Sequence, residues 1–458
     1  MYRYLYSKLV YPLYHGLIGS GAVKASRELD SHDIFTIDQL HVLEEKKLQY
    51  LLEYANRNVP YYREIISKTG KDTDTLAGSP HFQSFPILSK SIIRRQGERL
   101  HSQNLGDNKI DSNSTSGSSG SPLRFFTDRH SKSFRKAALN RNRRWLGIHI
   151  GDPIVHLWGS PIDQQLAEAL RGRIRARVTR ETFLSAYKIG DDDFAKYAGI
   201  IQRTGARLLV GYPSVLTEFA NFCGVRAIRF PRLQAVISSA EALYGHHRKD
   251  IEQNFGVPLY NRYGSREVGD IAHEIPGQNG LVVNSDRILV EIINNNGEPC
   301  APGVLGQIIV TDLDNLGMPF IRYDIGDLGC WAQSATTDGT MPYPVLESVE
   351  GRSLDIVTSS TGARVGGTFW TILFRERPGI DQFQVIQEKA NGVRIRYTSD
   401  ANAETPDFNY FSEKIRDILG AEFFVTYEGV DRIDPEPSGK HRIVVSRLGQ
   451  DPPIPTNG

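Results

Sequence analysis

The sequence predicts an α/β fold, with a large N-terminal α/β domain that carries a β-rich subdomain and a small α+β domain after it. Three observations predict it. Between about Gly151 and Gly264, short apolar runs alternate with longer helix-prone stretches, as in DPIVHLWGSP, RLLVGYPSV, LQAVISSAEAL and VPLYNRYGS. Such alternation favours parallel βαβ units. Downstream, Ile288 to Ile293 and Gln307 to Thr311 read as strands, joined by a polar connection with Asn295, Asn296 and Gly297 and by a Pro-Gly turn at Pro302. After Gly351 come short strands at Phe383 to Gln387 and Val393 to Tyr397, a helix near Phe408 to Leu419 and a strand near Ile443.

The change of pattern places a boundary near Arg352 to Asp355, giving a large domain over 1–351 and a small one over 352–458. With 458 residues, 40% of them hydrophobic and 10% aromatic, the chain can bury a core in more than one domain. Its 54 basic and 53 acidic residues leave a net charge of +1. No overall field then favours nucleic acid, and a small-molecule partner is expected. Cys223, Cys300 and Cys330 stand far apart without CxxC spacing, which argues against a disulfide framework or a structural zinc and fits a reducing cytoplasm.

No apolar run approaches the roughly 20 residues needed to span a bilayer. The N-terminal segment also lacks the uninterrupted apolar core of a signal peptide. The opening MYRYLYSKLVYPLYHGLIG mixes tyrosine, leucine and basic residues. It reads either as a helix packed on its own domain or as an interfacial helix in peripheral contact with a membrane.

Thr36 to Asn58 reads as a helix, because Leu40, Leu43, Leu48, Leu51, Leu52 and Ala55 recur near helical spacing. Thr36 and Gln39 fit a capping box, and Pro60 is expected to end the helix. From Asp107 to Gly120 the chain is rich in Ser, Asn and Gly, a composition that suits a loop. Each apolar run of the middle region ends in a polar or glycine-containing turn, and open α/β sheets collect ligands outside those strand ends. His156 with Trp158, Tyr212 with Pro213, Ala240 with Glu241, and Tyr263 onward occupy these turns.

Five stretches carry candidate chemistry. In Thr115-Ser116-Gly117-Ser118-Ser119-Gly120, hydroxyls and glycines alternate, so backbone amides and side-chain donors can face one anion. It is not a GxxxxGK[ST] loop, since no lysine follows Gly120. Tyr263-Gly264-Ser265-Arg266-Glu267 offers a ring that can stack on a base and a carboxylate that can hold Mg²⁺. Ile321 to Asp327 puts an acid in a turn, where it can accept from ribose hydroxyls. Gly351-Arg352-Ser353-Leu354-Asp355 lies at the domain change, and Lys440 sits in a glycine-containing segment near the C-terminus. No Ser-His-Asp order or HExxH suggests a hydrolase.

In order and spacing these stretches resemble the phosphate loop, adenine turn, ribose aspartate, hinge and terminal lysine of the adenylate-forming acyl- and aryl-coenzyme A synthetase superfamily. FPILSK at Lys90, YPSVL at Tyr212, SSAEAL at Ser238 and QVIQ at Gln384 to Gln387 are similar to its phenylacetate-coenzyme A ligase branch, which includes capsule-locus relatives.

The resemblance implies the adenylate-forming fold with a mobile C-terminal lid. It also implies ATP-dependent activation of a carboxylic acid, with Mg²⁺, and transfer to coenzyme A, a carrier protein or an amine or hydroxyl acceptor. By the same likeness Thr115 to Gly120 hold the leaving phosphates and Glu267 binds the metal. Tyr263, Gly264, Ser265, Ala240 and Glu241 frame the adenine. Asp327 fixes the ribose with Arg352 nearby, Asp355 is the hinge, and Lys440 bridges α-phosphate and carboxylate. The acid pocket falls to His156, Trp158, Tyr212 and Pro213.

The sequence departs from the pattern in three places. Ser121 replaces the usual loop lysine, which leaves Arg124 to supply the countercharge, and Arg266 stands where a Thr or Ser contacts the α-phosphate. A guanidinium there can bind that phosphate bidentately or instead block it. HEIPGQNGLVV keeps His273 and has none of the cysteine of the phenylacetate ligases. Ser121, Arg266 and the aromatic N-terminus define the alternative reading, a nucleotide-binding assembly protein with weak catalysis.

Overall fold

A computed structural model of the chain describes residues 2–17, 19–78, 80–105, 110–114, 123–158, 179–186, 191–333, 341–352, 357–360, 363–365, 370, 373–374, 379–380, 382–399, 405–434, 442–446 and 448. The chain divides into two compact units, one of Met1–Ile325 with Gly329–Val349 and one of Gly326–Leu328 with Glu350–Gly458.

The first unit opens with α1 (Tyr2–Leu5), a π-helical turn over Tyr6–Val10, and α2 (Tyr11–Leu17). Tyr6, Tyr11 and His15 are buried. Their spacing of five and then four keeps one face inward only because the wide π turn takes up the extra residue. After α3 (Ala22–His32), α4 (Ile37–Asn58) starts with the expected capping box. Gln39 N–H donates to Thr36 Oγ1 at 3.2 Å, and Thr36 N–H donates to Gln39 Oε1 at 2.9 Å. Pro60 does more than follow the end of this helix: it opens α5 (Pro60–Thr69), where its fixed φ and missing N–H suit the first helical position. The short helices α6 (Thr73–Ala77) and α7 (Lys90–Gln96) complete this part.

The loop expected over Asp107 to Gly120 is corrected in part. Ile110–Ser114 forms β1 and pairs antiparallel with β2 (Arg124–Asp128), placing Ser114 opposite Arg124. Its order comes from the cross-strand ladder and from Asn113 Nδ2 donating to Thr127 Oγ1 at 3.0 Å, so the polar composition conceals the strand. Next comes α8 (Arg129–Trp145), capped by Asp128, whose side chain accepts from Ser131 N–H.

Among the described residues the main sheet has eleven strands. They are β3 (Ile154–Leu157), β4 (Glu181–Leu184), β5 (Leu208–Gly211), β6 (Ala235–Ser239), β7 (Leu259–Ser265), β8 (Gly269–His273), β9 (Leu281–Val283), β10 (Ile288–Ile293), β11 (Gly306–Asp312), β12 (Tyr323–Trp331) and β13 (Val345–Arg352). Their order is β10-β11-β12-β13-β9-β8-β7-β6-β5-β3-β4. From β3 to β7 the neighbouring strands run parallel, as the alternating pattern predicted.

Helices α9 (Asp191–Thr204), α10 (Pro213–Val225) and α11 (Gly245–Phe255) cover one face, where Phe194, Leu216, Phe219 and Phe255 pack on Val155, Leu157, Leu209 and Val236. Ile154, Leu208, Val210 and Ile237 face the other side with Leu146 and Ile148. Burial on both faces explains why these strands read as apolar runs rather than alternations. The β-rich expectation holds at β10 and β11, paired antiparallel from Ile288 opposite Asp312 to Ile293 opposite Gln307.

A buried ionic cluster ties α3 and α8 to the segment before β10. Arg141 donates to both carboxylate oxygens of Asp286 at 2.6 and 2.9 Å, to Asn284 Oδ1 at 3.0 Å, to Tyr343 Oη at 2.8 Å and to the Leu29 carbonyl at 3.2 Å. His32 Nδ1 lies 2.8 Å from Asp286 Oδ2. Burial alone would raise the Asp286 pKa, but Arg141 and His32 hold it well below the usual carboxylate range.

In the second unit, β14 (Val357–Thr358) pairs with β15 (Arg364–Val365). A four-stranded sheet orders β18 (Phe424–Gly429), β17 (Gly392–Thr398), β16 (Gln382–Lys389) and β19 (Val444–Ser446). Helix α12 (Phe408–Leu419) buries Phe411, Ile415 and Leu419 against Trp370, Phe374, Val385 and Ile395. The sequence signalled β16, β17, α12 and β19. It did not signal β18, an edge strand none of whose residues is fully buried.

Candidate functional site

The strand order β7-β6-β5-β3-β4 reverses direction between β3 and β5, and an open α/β sheet forms its ligand crevice at such a point, beyond the carboxyl ends of the strands. Trp158 follows β3 and Tyr212 follows β5, and there the two rings stack with centroids 4.6 Å apart. Arg262, midway along β7, holds its guanidinium 5.6 Å from the Trp158 ring centre. Its Nε donates to Ser239 Oγ at 3.1 Å, and Ser239 Oγ donates to the Arg262 carbonyl at 3.0 Å, linking β6 to β7. Pro213 opens α10 directly after Tyr212.

His156 occupies different surroundings from this aromatic pair. It is buried, stacks on Phe183 at 4.3 Å and lies 3.5 Å from Glu181, which Arg143 binds at 2.9 Å. Burial pushes the imidazole down to about 4, with Glu181 acting in the opposite direction. Glu181 itself stays well below its ordinary value: burial alone would raise it, and Arg143 and Lys136 outweigh that. The structure thus gives His156 a neutral place in an ion cluster.

Beyond β6, Ala240 adopts φ +69°, a left-handed conformation that costs a non-glycine residue energy and tends to collect at functional turns. The strained step delivers Glu241 to the start of α10, where its carboxylate accepts from Ser214 Oγ at 2.8 Å and Ser214 N–H at 3.3 Å. Tyr263 is half-buried against the core. Gly264 has no room for a side chain, since a Cβ there would sit 2.5 Å from the Gly269 carbonyl oxygen. The bulge between Tyr263 and Gly264 bends the strand into the turn of Ser265, Arg266 and Glu267.

That turn meets the entrance to the Ser/Gly stretch. Arg266 is exposed, and its Nη1 donates to the Ser114 carbonyl at 3.1 Å, one residue before Thr115. Thr115 to Gly120 lie outside the described residues, as do Ser121, Asp355 and Lys440. Glu267 is 6% exposed, and its Oε1 accepts from Tyr323 Oη at 3.0 Å. A buried carboxylate given one hydroxyl partner among the described residues fits a hard divalent cation. No group of three or more His, Cys, Asp and Glu that could hold a metal occurs among the described residues. His273 is buried on β8, 2.5 Å from the Glu274 carbonyl, and burial pushes it down to about 4. Asp327 is half-buried on β12, and Arg352 is the last residue of β13.

Sequence reading missed Arg135, Arg262 and the use made of Tyr323. Arg135 reaches from α8 to donate to the Arg266 carbonyl at 3.1 Å, to the Glu267 carbonyl, and to Asp312 Oδ2 at 3.0 Å. Burial lowers its pKa and Asp312 opposes that. These three partners stand 131 to 177 positions away, so no local pattern marks the contact with the turn.

Known proteins give the class first. The fold matches 2-hydroxyisobutyryl-CoA ligase in the postadenylation state with a TM-score of 0.70 and 17% identity, covering 91% of each chain. The chain therefore has the α/β fold of adenylate-forming ligases. Among sequence relatives, Protein CapK of Staphylococcus aureus is 22% identical over 427 residues, 90% of each protein. Phenylacetate-coenzyme A ligase of Pseudomonas putida is 23% identical over 336 residues, 72% of this chain and 74% of that protein. Residues 357–447 match the CapK C-terminal domain.

Proposed function

We propose that this chain activates a carboxylic acid with ATP as an acyl-adenylate, releases pyrophosphate and passes the acyl group to an acceptor. The observation that carries the reading is the Arg266–Ser114 hydrogen bond. It brings the turn that carries Glu267 to the residue just before the Ser/Gly stretch, 152 positions earlier in the chain.

In this reading one carboxylate oxygen of the acid attacks the α-phosphorus, and the bond to the β-phosphate breaks with pyrophosphate leaving. Negative charge grows on both sides of the phosphorus, so the protein's work is positioning and neutralisation. Amides and hydroxyls of Thr115 to Gly120 take the β- and γ-phosphates. Arg266 donates to the α-phosphate, exchanging the Ser114 carbonyl for a charged acceptor. Glu267 would hold a divalent cation, which would further neutralise the phosphates. Tyr263, Gly264, Ser265, Ala240 and Glu241 line the adenine, Asp327 accepts from the ribose hydroxyls with Arg352 nearby, and Lys440 meets the carboxylate and α-phosphate. Trp158, Tyr212 and Pro213 shape the acid pocket, with His156 behind it, and the ring faces favour a flat acid. Asp355 serves as the hinge between half-reactions.

The phenylacetate-coenzyme A ligase relatives support a thiol acceptor, coenzyme A or a carrier protein. The capsule-locus resemblance of the sequence suggests a place in polysaccharide assembly, where an amine or hydroxyl acceptor also fits, and the likeness to CapK spans nine-tenths of the chain. Carboxylate-dependent ATP–pyrophosphate exchange across an acid library tests the proposal and names the acid. Exchange should rise with at least one acid in the presence of Mg²⁺. Folded protein that binds ATP yet shows no acid-dependent exchange would leave the assembly-protein reading in its place.

A further inference from the structure

The N-terminal segment carries a second surface. Tyr6, Tyr11 and His15 fix it to the first unit. A Cβ on Gly151 would lie 2.9 Å from Tyr6 Cδ1, so that ring rests on bare backbone. Tyr11 Oη accepts from Asn140 Nδ2 at 3.0 Å, and the His15 ring lies 4.2 Å from that of Tyr11. On the outward side Leu5, Leu9, Leu13 and Leu17 recur every fourth residue and are 51%, 51%, 57% and 87% exposed. The π turn that keeps the tyrosines inward also keeps these leucines in one outward row.

Four outward leucines on a well-anchored helix are a cost in water without an occupant. Charge says which occupant fits. The first 27 residues contain Arg3, Lys8, Lys24 and Arg27 and no Asp or Glu, and Lys8, Lys24 and Arg27 are exposed. An apolar row that shares its helical segment with Lys8, in a stretch free of acids over residues 1–27, matches the interface of an anionic bilayer. No described helix is long and apolar enough to cross a membrane, so the segment would lie in the plane of the surface.

We propose that residues 2–27 dock this protein on an anionic lipid surface, with Leu5, Leu9, Leu13 and Leu17 entering the acyl boundary and Lys8 and Lys24 meeting headgroup phosphates. The inference rests on the N-terminal geometry and is independent of the adenylation reading.

The test is co-sedimentation of the full chain with vesicles of phosphatidylcholine alone and of phosphatidylcholine mixed with phosphatidylglycerol. Wild type should pellet with the anionic vesicles, and more weakly as salt rises. Leu9→Glu/Leu13→Glu should weaken that binding at least about tenfold, and Lys8→Glu/Lys24→Glu several-fold. Both variants should keep the wild-type unfolding temperature and solution ATP–pyrophosphate exchange, since the altered side chains face solvent. Three results would overturn the proposal: wild type left in the supernatant with anionic vesicles, leucine variants that bind undiminished, or a dimer that the leucine variant dissolves without any vesicle binding, which would assign the face to a second copy.

Discussion

The Arg266 guanidinium donates to the Ser114 carbonyl at 3.1 Å, joining the turn after β7 to the end of β1. If the same donor serves the α-phosphate, Arg266→Ala should raise the ATP concentration for half-maximal pyrophosphate exchange about tenfold, as loss of a charge-assisted hydrogen bond does. Arg266→Lys should fall between, lacking the bidentate fork. An unchanged ATP dependence in both would remove Arg266 from nucleotide binding.

Tyr323 is fully buried and donates to Glu267 Oε1 at 3.0 Å. Tyr323→Phe keeps the ring but takes away the one hydroxyl, so it should shift half-saturating Mg²⁺ several-fold while costing only about 1 kcal/mol of stability. Magnesium titration of the exchange reaction checks this. A variant with ordinary Mg²⁺ dependence would make the contact merely structural.

Arg135 braces the same turn from behind. Arg135→Met strips donors from the Arg266 and Glu267 carbonyls and leaves Asp312 with Arg287 and the Asp314 N–H, each 3.2 Å away. Urea unfolding should show a loss on the order of 3 kcal/mol, and Arg135→Lys a smaller one. Equal stability of wild type and the methionine variant would refute the bracing role.

His156 and His273, both buried and both pushed down to about 4, set an acid limb on stability. The unfolded chain takes up protons below about pH 6.5, and the folded chain refuses them until near pH 4. Their contribution is therefore complete above pH 6.5 and is lost as pH falls toward 4, by up to about 3 kcal/mol for each imidazole. His156→Gln/His273→Gln should flatten the fall in urea midpoint between pH 7 and 5. A fall as steep as in wild type would show that other groups govern it.

Lys440→Ala should cut acid-dependent pyrophosphate exchange on the order of a hundredfold, the effect of losing about 3 kcal/mol of preorganised charge, while ATP binding measured by calorimetry persists. Wild-type exchange in this variant would end the proposed role.

What the sequence disclosed depended on how local each signal was. The Thr36–Gln39 box and the bounds of α12 are written within a few residues, and the double burial of the parallel strands leaves continuous apolar runs. The four strand-end turns were legible for that reason, and with them the Trp158–Tyr212 neighbourhood. By contrast, β1 is polar because its order comes from pairing with β2, and the partners of Arg135 and Tyr323 are supplied by elements far away along the chain. His156 looked like its neighbour Trp158 in sequence, yet its side chain meets Glu181 and Phe183 rather than the stacked pair.

The Arg141–Asp286 cluster sets a limit on how the protein can be shortened. Leu29 and His32 on α3 are both members of it, whereas the tyrosines of the preceding helical segment are not. An expression clone starting at Gly21 would thus retain every partner of the buried pair, whereas one starting at Ile34 would uncover a charged interior and should yield insoluble material.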